Sequence, residues 1–210
     1  MTGDVAAVSS DASPGAAFHR RPGRPRDTSL DELVLAATVE LLLDKVGGSP
    51  SITAIVDRSG VSRAALYRRW GSREEIVAAA LDSVRSPIVV TETSDLLADL
   101  IATYTSYPDN DPTNFERLIR RRLVLGLEDP ALQRIYWNAH VSRRRIPVAA
   151  ALRRGIEAGL VRVDANVDVA IDLIAGAFYY QLVVRGDSSS AASQLRVREA
   201  ITMVWRGIAV

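Results

Sequence analysis

Residues 51–73, SITAIVDRSGVSRAALYRRWGSR, constrain the fold more than any other stretch of the chain. They read as a short helix, a turn at Gly60, and a second short helix that starts at Ser62 and presents Arg63, Tyr67 and Arg68. A glycine-containing turn between two short helices is the signature of a helix-turn-helix, whose second helix inserts into a DNA major groove. Insertion needs small or polar residues on the N-terminal half of that helix, because bulk there holds it off the bases. Arg63, Ala64 and Ala65 meet the need with one long donor and two small side chains. Tyr67 and Arg68 follow one turn on, where a hydroxyl and a guanidinium reach phosphate. The capping hydroxyls and backbone amides at Ser51 and Ser62 bind phosphate as well, since a helix N-terminus attracts anions. The alternative is an ordinary helical hairpin with a solvated arginine face. Leu66 and Trp70 share a face with Val61 and belong to the core.

The rest of the chain is also helical by pattern. Residues 1–18 lack periodicity and read as a disordered tail. Residues 19–28 form a basic arm in which Pro22 and Pro25 block helix. Ser29-Leu30-Asp31-Glu32 has the form of a capping box. Leu30, Leu33, Val34, Ala37, Leu41 and Leu42 then recur at helical spacing to about Val46. Ser51 caps the second helix over a buried face of Ile52, Ile55 and Val56. Ser72 caps a fourth helix that carries Ile76, Val77, Ala80, Leu81 and Val84 and is stopped at Pro87. Further helices are expected over 94–106, 114–127, 129–158, 167–185 and 191–207. Pro147 should kink or divide the long one, because proline deletes a backbone donor and clashes with the preceding turn. Gly159 and Gly186 are C-cap candidates. There is no β alternation of useful length and no repeat. The expected fold is all-α with about nine helices. Residues 29–87 form an N-terminal three-helix helix-turn-helix unit with its linking helix, and residues 88–210 form a larger helical body.

Composition excludes more than it specifies. A hydrophobic content of 48% with 24% charged residues is that of a soluble, core-forming chain. No apolar run of about 18 residues stands out, so no membrane span is expected. No secretory signal is visible, and without cysteine there is no disulfide or thiolate, which fits a cytoplasmic protein. Net charge is only +1, but HRRPGRPR at 19–26 holds four arginines and no acid. A basic arm beside a helix-turn-helix is an electrostatic footprint for phosphates. Within it Arg21, Arg24 and Arg26 resemble an AT-hook core lying in a narrow minor groove. A solubilising tail that touches phosphates without selectivity is the other reading. Lys45 is the sole lysine, and arginine suits bidentate recognition of phosphate and guanine edges, although genome base composition produces the same bias.

From about Arg24 to Leu81 the sequence resembles the DNA-binding domain of the TetR family of transcriptional regulators. The matching residues are GRPR at 23–26, the Leu33–Ala37–Leu41–Leu42 face, Ser51, Ile55-Val56 and Gly60-Val61-Ser62, then Tyr67, Trp70, Ser72, Arg73 and Ile76-Val77. The resemblance implies phosphate contacts for Ser51, Ser62, Tyr67 and Arg73. It places Arg63, Ala64 and Arg68 at or near base edges. The family often has Thr at Ser51 and Lys at Arg73, and both changes preserve the chemistry. Gly47-Gly48-Ser49-Pro50 replaces the family's usual glycine-then-aromatic loop, a departure that touches the packing of that loop.

The body matches the family only in helix order. Most of the aromatics concentrate there, and aromatics with a few polar groups make ligand pockets, although residue by residue core or dimer interface is the more common role. The resemblance implies a pocket for a small, often apolar or aromatic molecule, for which Tyr104, Tyr107, Phe115, Trp137 and Phe178 are candidates. Helix 167–185 is apolar on more than one face and must be buried on most sides. In the resembled family two such helices per subunit form a four-helix dimer interface, which nominates Leu173, Ala177, Val197, Ile201 and Trp205. The arginine runs 120–122 and 143–145 read as solvated faces or partners of Glu116, Glu128 and Asp129.

Enzyme readings have little support. His19 lies in the arm, and His140 has no partner acid at catalytic spacing. There is no Gly-rich phosphate loop, nucleophile elbow or metal-ligand cluster, and no cofactor is expected. The expectation is therefore a homodimer that binds a pseudo-palindromic operator in double-stranded DNA and is released by a small ligand. A ligand-independent DNA-binding dimer is the nearer alternative. A helical binding protein or enzyme with a vestigial helix-turn-helix is the more distant one.

Overall fold

The computed structural model describes residues 28–44, 48–105, 112–187 and 190–210. The tail, the arm with Arg21, Arg24 and Arg26, and Tyr107 lie outside the described residues. The described chain is all-helical. Its order is α1 (Thr28–Asp44), α2 (Ile52–Ser59), α3 (Arg63–Tyr67), α4 (Arg73–Ser83), α5 (Leu96–Thr105), α6 (Pro112–Glu128), α7 (Pro130–Tyr136), α8 (Ser142–Glu157), α9 (Val167–Tyr179) and α10 (Ala191–Ile208). A π-helical turn at Trp137–Val141 joins α7 to α8, and a second at Tyr180–Val184 extends α9. The ten segments thus form nine rods among the described residues. A lone antiparallel bridge, Val161 to Ala209, pins the C-terminus.

Helix starts follow side-chain chemistry closely. Ser51, Ser62 and Ser72 each accept a hydrogen bond from the amide three residues on, at 3.1, 3.3 and 3.1 Å. This satisfies one orphan donor of α2, α3 and α4. Gly60 ends α2 with φ +70°, a left-handed conformation that a side chain disfavours. Gly159, at φ +71°, closes α8 in a Schellman pattern: Leu160 N–H bonds to Gly155 C=O and Gly159 N–H to Ile156 C=O.

Three expectations need correction. α1 begins at Thr28, so Ser29 sits inside the first turn and not at the residue before it. Asp31 instead forms an ion pair with Arg69 at the end of the helix-turn-helix. Leu33 points to solvent, because it lies off the Val34–Ala37–Leu41 stripe. Pro147 neither ends nor divides its helix. It sits within α8, where Val148, Ala149, Ala151 and Leu152 are buried behind it, and that packing outweighs the lost backbone bond. The irregularity lies upstream, in the π turn.

Three apolar clusters hold the rods. Val34, Leu41, Ile55, Val61, Leu66 and Ile76 form the core of α1–α4, with Trp70 against it. Leu42, Val77, Ala80, Leu81, Leu118 and Tyr136 form a second cluster that joins α1 and α4 to α6 and α7. Leu100, Val148, Leu152, Ile171, Ile174 and Ile201 form the third, between α5, α8, α9 and α10. Helix α4 contributes Ile76 to the first and Val77, Ala80 and Leu81 to the second. It is therefore buried on two sides, and its movement must disturb both cores.

The eighteen residues Val167–Val184 are long and apolar enough to cross a membrane, with mean hydropathy 1.6, contrary to the expectation of no such run. In the fold this rod packs through Ala170, Ile171, Ile174 and Leu182, and Asp168 and Asp172 on it bind Arg145 of α8. It is one wall of the body.

Candidate DNA-binding face and effector pocket

The helix-turn-helix presents the residues that major-groove insertion requires. On α3, Ala65 and Leu66 turn inward, while Arg63, Ala64, Tyr67 and Arg68 stay exposed. Ala65 thus serves packing and does not line the groove-facing surface. Arg63 Nη2 donates to Thr53 Oγ1 of α2 at 3.1 Å. This exposed bond is cheap to exchange for a base edge, about 1 kcal/mol. Arg68 has no ion pair among the described residues. Ser51 and Ser62 use their oxygens as caps, which leaves each hydroxyl proton to donate to a phosphate. Arg58 binds Glu40 and Asp44 of α1 at 3.0 and 3.2 Å, fixing α2 on α1.

Arg73 stands apart from the other candidates. Its guanidinium contacts Glu74 at 2.7 Å and Asp129, the N-cap of α7, at 3.4 Å. In this conformation it ties the DNA-binding unit to the body through Nη2, and a phosphate would compete with that tie.

The body contains a cavity of about 550 Å³ bordered by α5, α6, α8, α9, the π turn before α8 and the segment that follows α4. Of the pocket candidates, Tyr104, Phe115 and Phe178 line it. Trp137 does not. It is 43% exposed and stacks near Arg145 on the outside, 5.6 Å from ring centre to guanidinium carbon. Burial pushes the Tyr104 hydroxyl up to about 12, so it remains a neutral donor.

The arginines of the body have roles that the sequence reading missed. Arg144 and Arg145 line the cavity together with Arg85. Arg144 bonds Asp82 on α4 at 2.8 Å and donates to the carbonyls of Ser86 and Arg85 at 2.6 and 3.3 Å. His140 Nδ1 meets the same Asp82 at 2.9 Å, so His140 does have an acid partner, one distant in sequence. Burial alone would raise the Asp82 carboxyl, but the hydrogen bonds from His140 and Arg144 outweigh it and hold it below its ordinary value. On α6, Arg117 and Arg121 donate to the carbonyls of Leu43 and Gly48 at 2.7 and 2.9 Å. Arg120 caps the end of the α9 rod through Leu182, Gly186 and Asp187. These contacts replace the expected pairing with Glu116, Glu128 and Asp129. A helix rotates about 100° per residue, so three consecutive arginines cannot all face water on a half-buried helix. Arg122, four residues after Leu118 and three before Leu125, falls on the buried stripe.

The dimer candidates divide. Leu173 is 57% exposed and Ala177 is half-buried, but Val197 and Ile201 are 2% and 1% exposed, filling the third core of their own subunit, with Trp205 packed against it. They are therefore core. The outward apolar residues of the last two rods are Val169, Leu173, Tyr180, Val183 and Val184, with Leu195 and Met203.

Fold and site together define a helix-turn-helix DNA-binding transcriptional regulator with a separate helical body. The family model described as "Tetracyclin repressor-like, C-terminal domain" matches residues 90–201, and that for "Bacterial regulatory proteins, tetR family" matches 34–80. The chain belongs to the TetR family. It is 26% identical over 187 residues to the HTH-type transcriptional regulator YdeS of Bacillus subtilis (strain 168), covering 89% of this chain and 93% of that protein. It is 27% identical over 164 residues to Rv1556 of Mycobacterium tuberculosis, another HTH-type transcriptional regulator, covering 78% and 79%. The TetR family regulator SCO0332 superposes with TM-score 0.62 at 24% identity, over 85% of this chain and 98% of that one. Salmonella enterica GusR superposes with TM-score 0.67 at 17% identity, over 86% and 97%. The two superpositions bear on the fold alone.

Proposed function

We propose that this regulator is a homodimeric repressor that holds a pseudo-palindromic operator and leaves it when a small molecule fills the cavity of the body. Residues 29–87 are the DNA-binding unit, and residues 88–210 bind ligand and dimerise. Arg63, Ala64 and Arg68 meet or approach base edges, while Ser51, Ser62 and Tyr67 hold phosphates. Arg73 joins them in competition with its tie to Asp129. The arm arginines Arg21, Arg24 and Arg26 follow the minor groove.

The observation that carries the release mechanism is the double role of Arg144. It lines the cavity and binds the C-terminal end of α4 through Asp82, Arg85 and Ser86. A ligand that draws Arg144 inward loosens this attachment, and α4 transmits the change to the helix-turn-helix. The shift in operator affinity is bounded by the ligand's preference between the two arrangements, typically 1–3 kcal/mol. The cavity itself favours this reading over a dimer that senses nothing.

The exposed apolar residues of α9 and its π turn support dimerisation, since a monomer rarely leaves so continuous a patch to water. Two reading heads then address successive major grooves, about 34–36 Å apart. A regulator that works on DNA is expected in the cytoplasm. The test is a gel shift with DNA from upstream of the protein's own gene. Salt-sensitive, sequence-selective binding that a cavity-filling compound reverses is expected. Selective binding that no compound stabilising the protein can reverse would refute ligand release.

A further inference from the structure

Among the described residues, the charged groups in the cavity wall are all of one sign. The wall holds Arg85, Arg144 and Arg145 and, among those residues, no carboxylate. Two of these cations are neutralised from behind: Arg144 by Asp82, and Arg145 by Asp172 and Asp168 at 2.5 and 3.3 Å. Arg85 is not. Its hydrogen bond among the described residues runs from Nη1 to the Tyr136 hydroxyl at a long 3.4 Å. The carboxylate whose field it feels, Asp82, already holds both Arg144 and His140.

A second cation serves the same tyrosines. Arg122 is only 6% exposed, and its guanidinium lies 4.9 Å from the ring centre of Tyr136 and 5.5 Å from that of Tyr179, itself a cavity residue. Among the described residues its Nε has no hydrogen-bond partner and it makes no ion pair. The cation–π contacts offset part of its desolvation and leave the charge in place. An uncompensated buried charge is costly, and most groups escape by shifting pKa and becoming neutral. Arginine does not deprotonate in proteins, so these two cations keep their charge and favour an anion beside them.

We infer that the cavity takes an organic oxyanion, a carboxylate or phosphate ester on an apolar or aromatic body, with its charge on Arg85 and its body against Phe115, Phe178 and Ile171. This rests on the reading of the cavity as the effector site. A volume of about 550 Å³ lies within the range of small-molecule sites. Tyr104, neutral at physiological pH, adds a hydroxyl donor for a second oxygen.

Two fluorescent dyes of nearly one shape test the inference on the full chain: 1-anilinonaphthalene-8-sulfonate, an anion, and N-phenyl-1-naphthylamine, which lacks the sulfonate. The anion should bind about tenfold or more tightly than the neutral dye, the worth of one charged hydrogen bond. Arg85→Met should remove most of that ratio. On the unaltered protein, decanoate or decyl phosphate should displace the anionic dye where methyl decanoate and acetate do not, and the effective one of the two identifies the headgroup. Equal or tighter binding of the neutral dye, or displacement by methyl decanoate as good as by decanoate, would overturn the anion inference and leave the pocket reading intact. Failure of both dyes to bind would overturn the pocket reading and this inference with it.

Discussion

Arg144 Nη2 stands 2.8 Å from Asp82 Oδ1, so a residue in the wall of the body's cavity is ionically bonded to the last turn of α4, the helix that follows the helix-turn-helix. Both side chains are mostly buried, 13% and 25% exposed. Arg144→Met keeps the aliphatic stem and removes this bond and those to the Ser86 and Arg85 carbonyls. We expect a loss of about 1–3 kcal/mol in stability, the range for buried charged hydrogen bonds. Operator binding should survive while its response to ligand shrinks. Melting curves and titrations with and without ligand check this; an unchanged ligand response contradicts it.

The same pair sets an acid limit. The Asp82 carboxyl is held below its ordinary value of 3.8 by His140 and Arg144, against the upward push of burial. A lowered folded-state pKa contributes stability above the unfolded value, and that contribution is lost as pH falls through the folded value. The melting temperature should therefore drop from about pH 5 downward, and Asp82→Asn should flatten that drop while starting from a lower value at neutral pH. Identical acid profiles for the two proteins would exclude the pair as the cause.

Arg73 is held by Asp129, and Asp129 Oδ1 also accepts the amides of Ala131 and Leu132. Asp129→Asn retains the cap and removes one of the two counter-charges, leaving Arg73 on Glu74 of its own helix. Released from the body, Arg73 should raise operator affinity by at most about fivefold, because a half-exposed ion pair is worth about 1 kcal/mol or less. Fluorescence anisotropy with labelled operator measures it; weaker binding would mean that the Arg73–Asp129 tie supports the DNA-competent form.

On the recognition helix, Arg63→Ala should relax base preference at one position of each half-site by about 1–3 kcal/mol. Tyr67→Phe should weaken all sites alike. Binding of a site series by both variants separates these effects, and the reverse assignment would rotate the docking of α3.

Leu173→Glu puts a charge in the middle of the exposed apolar face of α9, where Leu173 is 57% exposed in a single subunit. Such a residue makes little contact inside its own chain, so the fold should persist while the dimer dissociates. Sedimentation should show a monomer with near-native helicity. A stable Leu173→Glu dimer would move the interface elsewhere.

The sequence carried the helix-turn-helix almost completely, because its determinants are local: serine caps, a left-handed glycine and a short apolar stripe. Ser51, Gly60, Val61, Ser62 and Ser72 all take the expected positions. The body was less legible. Val197 and Ile201 form an apolar stripe that serves equally for its own core or a partner, and only the packing of α10 on α5 and α9 shows that it faces inward. Arg122 and Arg144 lie in charge runs that resemble solvated faces, and their partners, Tyr136, Tyr179 and Asp82, are brought near by long-range folding. The π turn at Trp137–Val141 has no sequence signal that we can identify, whereas Pro147, which does carry one, leaves its helix intact.

The most direct measurement is selection of random double-stranded oligonucleotides by the full-length protein. Enriched sites should be inverted repeats with half-site centres about 10–10.5 base pairs apart, bound with steep salt dependence and lost to Leu173→Glu. No enrichment, or enrichment of single half-sites by an intact dimer, would contradict paired insertion of α3 into successive major grooves.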